Sequence, residues 1–268
     1  ALPIYFRTEG LEVVISDFSS EAAAFSALQS GSAAVCAGFF EQTLQLQARQ
    51  QKFQAFVLQG RTPQVVLGVS SLTMPHYRGV ADLKGKRIAF NKGSNVQYFL
   101  VKLLEKNGLK YSDVQSVFLP PPDARAAFEK GAVDAWLIWD PFLASAQKTL
   151  DAQLLADATG VVKNRGYYFT SREFATHNND VLHIAIEEIN HIDTWIAKNK
   201  SAAAVELAQV LGLDKSITEV YVGRAGYGTA PVTQAILEEQ QSIADTFFEL
   251  KLIPKKLNLL HAAPVSLN

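Results

Sequence analysis

Cysteine is nearly absent from this chain: Cys36 is the only one in 268 residues. A lone cysteine excludes an intramolecular disulfide and a cysteine-based zinc site. Excess charge of either sign is lacking too. Lys and Arg number 25 against 26 Asp and Glu, a net charge of −1, so there is no bulk electrostatic pull toward nucleic acid or acidic lipid. No apolar run nears the roughly 18 residues a membrane span needs. No targeting segment opens the sequence, although a removed signal peptide would leave no trace. The Walker and Gly-x-Gly-x-x-Gly fingerprints are missing, as is the Gly-x-Ser-x-Gly nucleophile elbow. No nucleophile–base constellation replaces them, because Cys36 lies inside the apolar run AAVCA, where a thiolate is disfavoured. These absences weaken the case for an enzyme and leave the cytosol and the bacterial periplasm both open.

What is present is ample apolar material, 48% of the residues, enough for one large domain or two compact lobes. Strand-like runs alternate with helical ones. Strands are expected at 11–16, 33–37, 53–58, 64–69, 87–90, 113–119, 135–138 and 167–170. Helices are expected at 19–28, 40–51, 96–107, 123–130 and 141–150. From Asp180 onward the period is almost wholly helical, at 180–198, 201–211, 216–222 and 231–250. Gly and Pro mark the helix stops. The alternation predicts an α/β fold with mostly parallel sheets and a helical C-terminal region.

The chain echoes itself. ALQSGSAAVCAGFF (27–40) parallels AFEKGAVDAWLIWDPF (127–142): a helix, a Gly stop, a strand, then an aromatic turn into a helix. Two similar α/β units imply two lobes. The later unit begins with a strand and turn, Ile88 to Ser94, before its helix; the earlier one begins inside or just before a helix, at Ala1–Arg7, so a preceding strand and its loop are expected to be missing.

Several short motifs offer both a structural and a functional reading. Asn91-Lys92-Gly93-Ser94-Asn95 joins a strand to a helix. Ser94 or Asn95 can simply cap that helix; equally, Gly93 permits close approach, Lys92 adds charge, and free amides at the helix start attract an anion. Gly38-Phe39-Phe40-Glu41 is a Gly turn into a helix, whose two rings either fill the core or line a cleft. In Trp136-Leu137-Ile138-Trp139-Asp140-Pro141, Pro141 suits the first helical position with Asp140 as cap. Trp136 reads as packing, and Trp139, at the carboxyl end of its strand, could reach a ligand. Pro120-Pro121-Pro122-Asp123 reads as a rigid turn with Asp123 as N-cap. Arg224, among glycines between helices, suits bidentate oxyanion binding or a plain surface loop. His183, Glu187 and His191 share one helix face, but the apolar face is Val181, Ala185, Ile189, Ile192 and Ile196, so the histidines form a solvated stripe. The pairs Glu187-Glu188 and Glu238-Glu239 read as exposed helix charges.

DLKGKRIAFNKGS (82–94), PPPDARAAFEKGAVDAWLIWDPF (120–142) and QQSIADTFFELKLIPKKLN (240–258) together resemble the periplasmic aliphatic-sulfonate-binding proteins of ABC importers. The wider family also includes nitrate, taurine and thiamine-pyrimidine-precursor binding proteins, and GFFEQTLQLQARQQKFQAFVLQGRTPQVVLGVS (38–70) fits that wider family. The resemblance implies a two-lobe periplasmic binding protein fold, type II-like, with a ligand cleft between lobes and a closing hinge. Residues 1–70 with 172–268 would form the first lobe and 71–171 the second. It implies ligand contacts from Gly38, Phe39 and Phe40 in the first lobe, and from Gly93, Ser94, Asn95, Asp123, Trp139 and Asp140 in the second. Arg224 matches a C-terminal arginine near the cleft in relatives. The implied ligand is a sulfonate or related small oxyanion, held and not transformed, with Phe39 and Trp139 against its carbon part. The implied partner is an importer permease, and the protein would be a monomer in the periplasm with neither cofactor nor metal. The departure is the missing first strand, whose loop contributes to the site in relatives.

Three other readings compete. A pyrimidine-precursor or amine binder of the same fold would show stacked aromatics without anion donors. An enzyme like the fungal thiamine-pyrimidine synthase would need its own histidine and a cysteine-rich iron site, which one cysteine cannot supply. A regulatory sensor would need a fused signalling domain.

Overall fold

A computed structural model describes residues 12–16, 18, 21–39, 41, 44, 54–61, 66–69, 77–150 and 152–259. The helices are α1 (Glu21–Ser30), α2 (Asn95–Lys106), α3 (Pro121–Glu129), α4 (Phe142–Thr149), α5 (Arg172–His177), α6 (Asn179–Lys198), α7 (Lys200–Leu211), α8 (Lys215–Arg224) and α9 (Gln234–Glu249). The strands are β1 (Val35–Phe39), β2 (Gln54–Arg61), β3 (Val66–Val69), β4 (Arg87–Phe90), β5 (Gln115–Phe118), β6 (Ala135–Ile138), β7 (Gln153–Asp157), β8 (Arg165–Thr170) and β9 (Thr229–Pro231).

The chain divides into two compact units. The first contains residues 1–60, 165–198 and 226–268; the second contains 61–164 and 199–225. The first unit holds a sheet in the order β1-β8-β2-β9, with β1 antiparallel to β8 and β2 antiparallel to β9. The second holds a sheet in the order β5-β4-β6-β3-β7. There β4 runs parallel to both β5 and β6, while β3 is antiparallel to β6 and β7. Helical crossovers α2 and α3 permit the parallel pairs. The second sheet is therefore mixed, with its parallel pairing confined to the β5-β4-β6 segment.

Side-chain alternation explains the second unit's two cores. Along β4, Ile88 and Phe90 face one cluster and Ala89 the other; along β6, Ala135 and Leu137 oppose Trp136 and Ile138. A strand buried on both faces must be apolar throughout, and β6 is. On α2, Val96, Phe99, Leu100, Leu103 and Leu104 recur at helical spacing and are all buried, each contributing about 1.5–3 kcal/mol. The helix ends where Gly108 adopts φ 74° and Leu109 donates its amide back to Leu104.

The structure departs from the sequence-based expectations at several points. Residues 12–16 are not a strand, and Val14 and Ile15 are exposed. β2 continues through Gly60 and Arg61, where a break was expected, and β7 and β9 were not anticipated. Of the helix expected at 40–51, only Glu41 and Leu44 lie among the described residues, and both are helical. α3 starts at Pro121, with Pro120 as the N-cap residue, so Asp123 sits in the first turn and is not the cap. Proline is tolerated there because first-turn amides have no intrahelical acceptor. α4 starts one residue late, at Phe142, although Asp140 still caps it: its Oδ1 accepts the Ala144 amide at 2.9 Å across a cis Asp140–Pro141 bond. Residues 199–225 group with the second unit, where the resemblance put them in the first, because α8 packs on α4.

Candidate functional site

The parallel pairs align the carboxyl ends of β5, β4 and β6, with Phe90 opposite Phe118 and Ala89 opposite Trp136. The turns after these strands, 91–94, 119–120 and 139–141, leave from one edge of the sheet. In open α/β sheets this edge is where ligands bind.

The turn after β4 is built tightly. Gly93 takes φ 72°, a left-handed conformation that suits glycine. Its amide donates to Gln97 Oε1 at 2.6 Å; Gln97 Nε2 donates to the Tyr111 hydroxyl at 2.8 Å, which also accepts from Ser116 Oγ at 3.0 Å. The Gly93 amide is thus already used, so a ligand would meet the amides beyond it. Ser94 is the N-cap residue by position and fully buried, yet its side chain makes no cap bond. Its Oγ donates instead to the Asn91 carbonyl. Ser94 O is the first intrahelical acceptor, taking the amides of Gln97 and Tyr98, so the amides of Asn95 and Val96 precede any intrahelical partner. Asn95, also buried, donates from Nδ2 to Asn164 Oδ1 at 2.7 Å, and its own Oδ1 is buried without a partner. Leaving such an acceptor unmade costs about 1–3 kcal/mol, which a ligand donor or a water would relieve. Lys92 stands 5.3 Å from the exposed Phe118 ring, so a cation is held at the same edge.

At the end of β6, Trp139 is partly buried and packs against both core clusters of the unit. Trp136 is buried beside Phe128, in agreement with its reading as packing. Arg224, at the end of α8, faces Asp140 at 3.5 Å and donates from Nη2 to Gln147 Oε1 at 2.6 Å. Burial pushes the Asp140 carboxyl up, and Arg224 together with the Ala144 amide pulls it back. The guanidinium is therefore partly committed to the protein, tying α8 to the start of α4. Asp123 is exposed in the first turn of α3, where its charge suits the helix dipole and competes with an anion.

Gly38 and Phe39 belong to the first unit, at the end of β1, opposite Tyr167 and Gly166. Phe40 lies outside the described residues. Cys36 is buried within β1. The histidines of α6 separate: His183 meets Glu187 at 3.2 Å on the solvent side, whereas His191 meets Glu188. Glu188 is buried, and Glu239 is ion-paired with Arg165, so neither is the freely exposed charge its sequence implied. Among the described residues, no His, Cys, Asp and Glu side chains gather as a metal site would require. Sequence reasoning missed Gln97, Tyr111 and Asn164. Gln97 was visible only as a polar residue on the apolar face of α2; the other two carry no local signal.

The chain resembles solved periplasmic binding proteins over almost its whole length. The alkanesulfonate-binding protein SsuA from Xanthomonas axonopodis pv. citri, bound to MOPS, superposes with a TM-score of 0.89 at 30% identity, covering 97% of this chain and 90% of that one. The periplasmic aliphatic sulphonate binding protein SsuA from Escherichia coli gives 0.88 at 28% identity, covering 96% and 83%. The fold is that of the two-lobe periplasmic binding proteins. The NMT1/THI5-like family model matches residues 5–189, and the chain belongs to that family. In sequence it is 34% identical over 181 residues to a putative aliphatic sulfonates-binding protein of Escherichia coli strain K12, an alignment covering 67% of this chain and 57% of that protein. The chain thus matches little more than half the length of that relative.

Proposed function

We propose that the protein is the periplasmic solute-binding component of an ABC importer, and that it holds an aliphatic sulfonate or a similar small oxyanion without transforming it. The observation that carries this reading is the start of α2, where the Asn95 and Val96 amides have no intrahelical acceptor and no carboxylate caps the helix. Fixed backbone dipoles suit an anion that must be released again, because they supply partial positive charge without a mobile counter-ion. Trp139 would flank the carbon part of the ligand, Lys92 would add charge at the rim, and Arg224 would keep Asp140 in place. The names of the relatives support the ligand class and the binding role. The permease partner and the periplasmic location are part of the same proposal. No described helix is long and apolar enough to cross a membrane.

The test is calorimetric titration of the ligand-stripped protein with ethanesulfonate, a longer alkanesulfonate, nitrate and sulfate. Asn95→Asp places a carboxylate at the helix start while keeping the side-chain shape. Micromolar or tighter sulfonate binding that this variant weakens by at least about tenfold is expected from the added repulsion. Sulfonate binding that Asn95→Asp leaves unchanged would remove the site.

A further inference from the structure

The start of α2 offers an acceptor as well as donors. Asn95 is the first residue of the helix and 2% exposed. Its amide precedes any intrahelical acceptor, since Ser94 O takes the amides of Gln97 and Tyr98. Its side-chain amide is held by Asn164: Nδ2 donates to Asn164 Oδ1 at 2.7 Å, and Asn164 is itself buried, with φ 47°. That bond leaves Asn95 Oδ1 as a buried acceptor with no partner. The backbone N–H and Oδ1 of one asparagine are only a few bonds apart. A tetrahedral oxyanion seated on the Asn95 and Val96 amides therefore comes within reach of Oδ1. An alkylsulfonate brings only acceptor oxygens, so it sets a lone pair against Oδ1 and leaves it unmet. A singly protonated alkylphosphonate has the same shape and the same charge, and adds an O–H that Oδ1 can accept.

We propose that the start of α2 selects the protonated form of its oxyanion, and that the ligand it fits best is an alkylphosphonate monoanion. The Asn95 and Val96 amides donate to the ionised oxygens, and the P–OH donates to Asn95 Oδ1. Loss of that proton gives a dianion and replaces the bond by two facing lone pairs. Charge alone acts in the opposite direction, because a helix start favours the more negative ligand. All the groups used lie within the second unit. The inference rests on the proposed function for the place of the anion, and it orders the ligands, a protonated oxyanion ahead of an unprotonated one.

The experiment titrates the ligand-stripped full chain calorimetrically with ethylphosphonate and ethanesulfonate at pH 6, 7.5 and 9. Bis-Tris and Tris chloride hold the pH, because sulfonate buffers would compete. Ethylphosphonate is the monoanion at pH 6 and chiefly the dianion at pH 9. Ethanesulfonate keeps one charge throughout, so it registers any titration of Lys92, Asp123, Asp140, Arg224 or Lys163, the charged groups on the surrounding turns and helix ends. At pH 6 ethylphosphonate should bind at least about tenfold more tightly than ethanesulfonate. By pH 9 it should lose about tenfold relative to the sulfonate, as the monoanion runs out. Asn95→Asp supplies a stronger acceptor for the P–OH but repels both anions, so it should weaken the sulfonate at least about tenfold more than the phosphonate; equal loss from both ligands overturns the inference. The wild-type pH series decides alone if that variant does not fold. Sulfonate binding at least as tight as phosphonate at pH 6 overturns the inference and leaves the sulfonate reading standing, the Asn95 amide then presenting its N–H to the anion. A phosphonate affinity that holds or rises toward pH 9 overturns it whatever the sulfonate does. Phosphonate binding that falls with pH, without sulfonate binding, supports the inference and removes the sulfonate from the proposed function. Binding of neither ligand overturns both.

Discussion

Glu41→Gln should leave folding stability unchanged at pH 4 and raise it at pH 8. The Glu41 carboxyl ordinarily titrates at 4.5 and is pushed up to about 7 in the folded protein, by burial first and by Glu239 second. The folded state therefore binds more protons than the unfolded chain between those two values, so stability falls as pH rises through that window. Below 4.5 the carboxyl is protonated in both states and nothing is lost; above 7 the full cost is present. At about 1.4 kcal/mol per factor of ten in proton affinity, the cost is about 3 kcal/mol. Glutamine keeps the shape and never charges. Urea unfolding followed by tryptophan fluorescence at pH 4, 5.5, 7 and 8 should show the two proteins together at pH 4 and diverging until about pH 7. A stability difference constant across the series would refute the assignment, because a packing defect does not titrate.

Three more outcomes follow from the second unit. Arg224→Gln strands an Asp140 carboxyl that is 1% exposed and should lower stability by about 2–3 kcal/mol; adding Asp140→Asn should recover most of it, as a double-mutant cycle in urea would read. Tyr111→Phe deletes the hydroxyl that accepts from Gln97 and Ser116, costing about 1–2 kcal/mol, and should also weaken sulfonate binding because Gln97 steadies the Gly93 turn; unchanged affinity would sever that link. Gly93→Ala forces a side chain into φ 72° at a cost of roughly 1–2 kcal/mol, visible as a lower thermal midpoint, and should raise the ligand dissociation constant.

Much of the second unit was legible in the chain because its signals are local. The turn 91–95, the spacing of Val96, Phe99, Leu100, Leu103 and Leu104, and the stop at Gly108 each depend on neighbours within a few residues, and each appears where the sequence placed it. Asp140 as a cap and Trp136 as packing are local in the same sense. Chain segments far apart carry no such marks. No pattern within three residues says that β3 runs antiparallel to β6, that α7 and α8 join the second unit, or that Gln97 uses up the Gly93 amide.

The charges divide along the same line. The exposure of Glu187 followed from the period of α6, whereas the burial of Glu188 depends on what packs against that helix. Arg224 stood out in sequence as an arginine without a helical role; only the fold brought it to Asp140 and Gln147, residues 84 and 77 positions away. Glu41 and Glu239 come from distant stretches, and a carboxyl looks the same in sequence whether water or protein surrounds it. By itself the sequence determined most of the second unit's elements and the strand–turn–helix that leads into α2, since those follow from backbone geometry and hydrophobic period. The tertiary structure alone decided which amides stay free and which carboxyls lose their solvent, since desolvation and pairing arise only when remote segments meet.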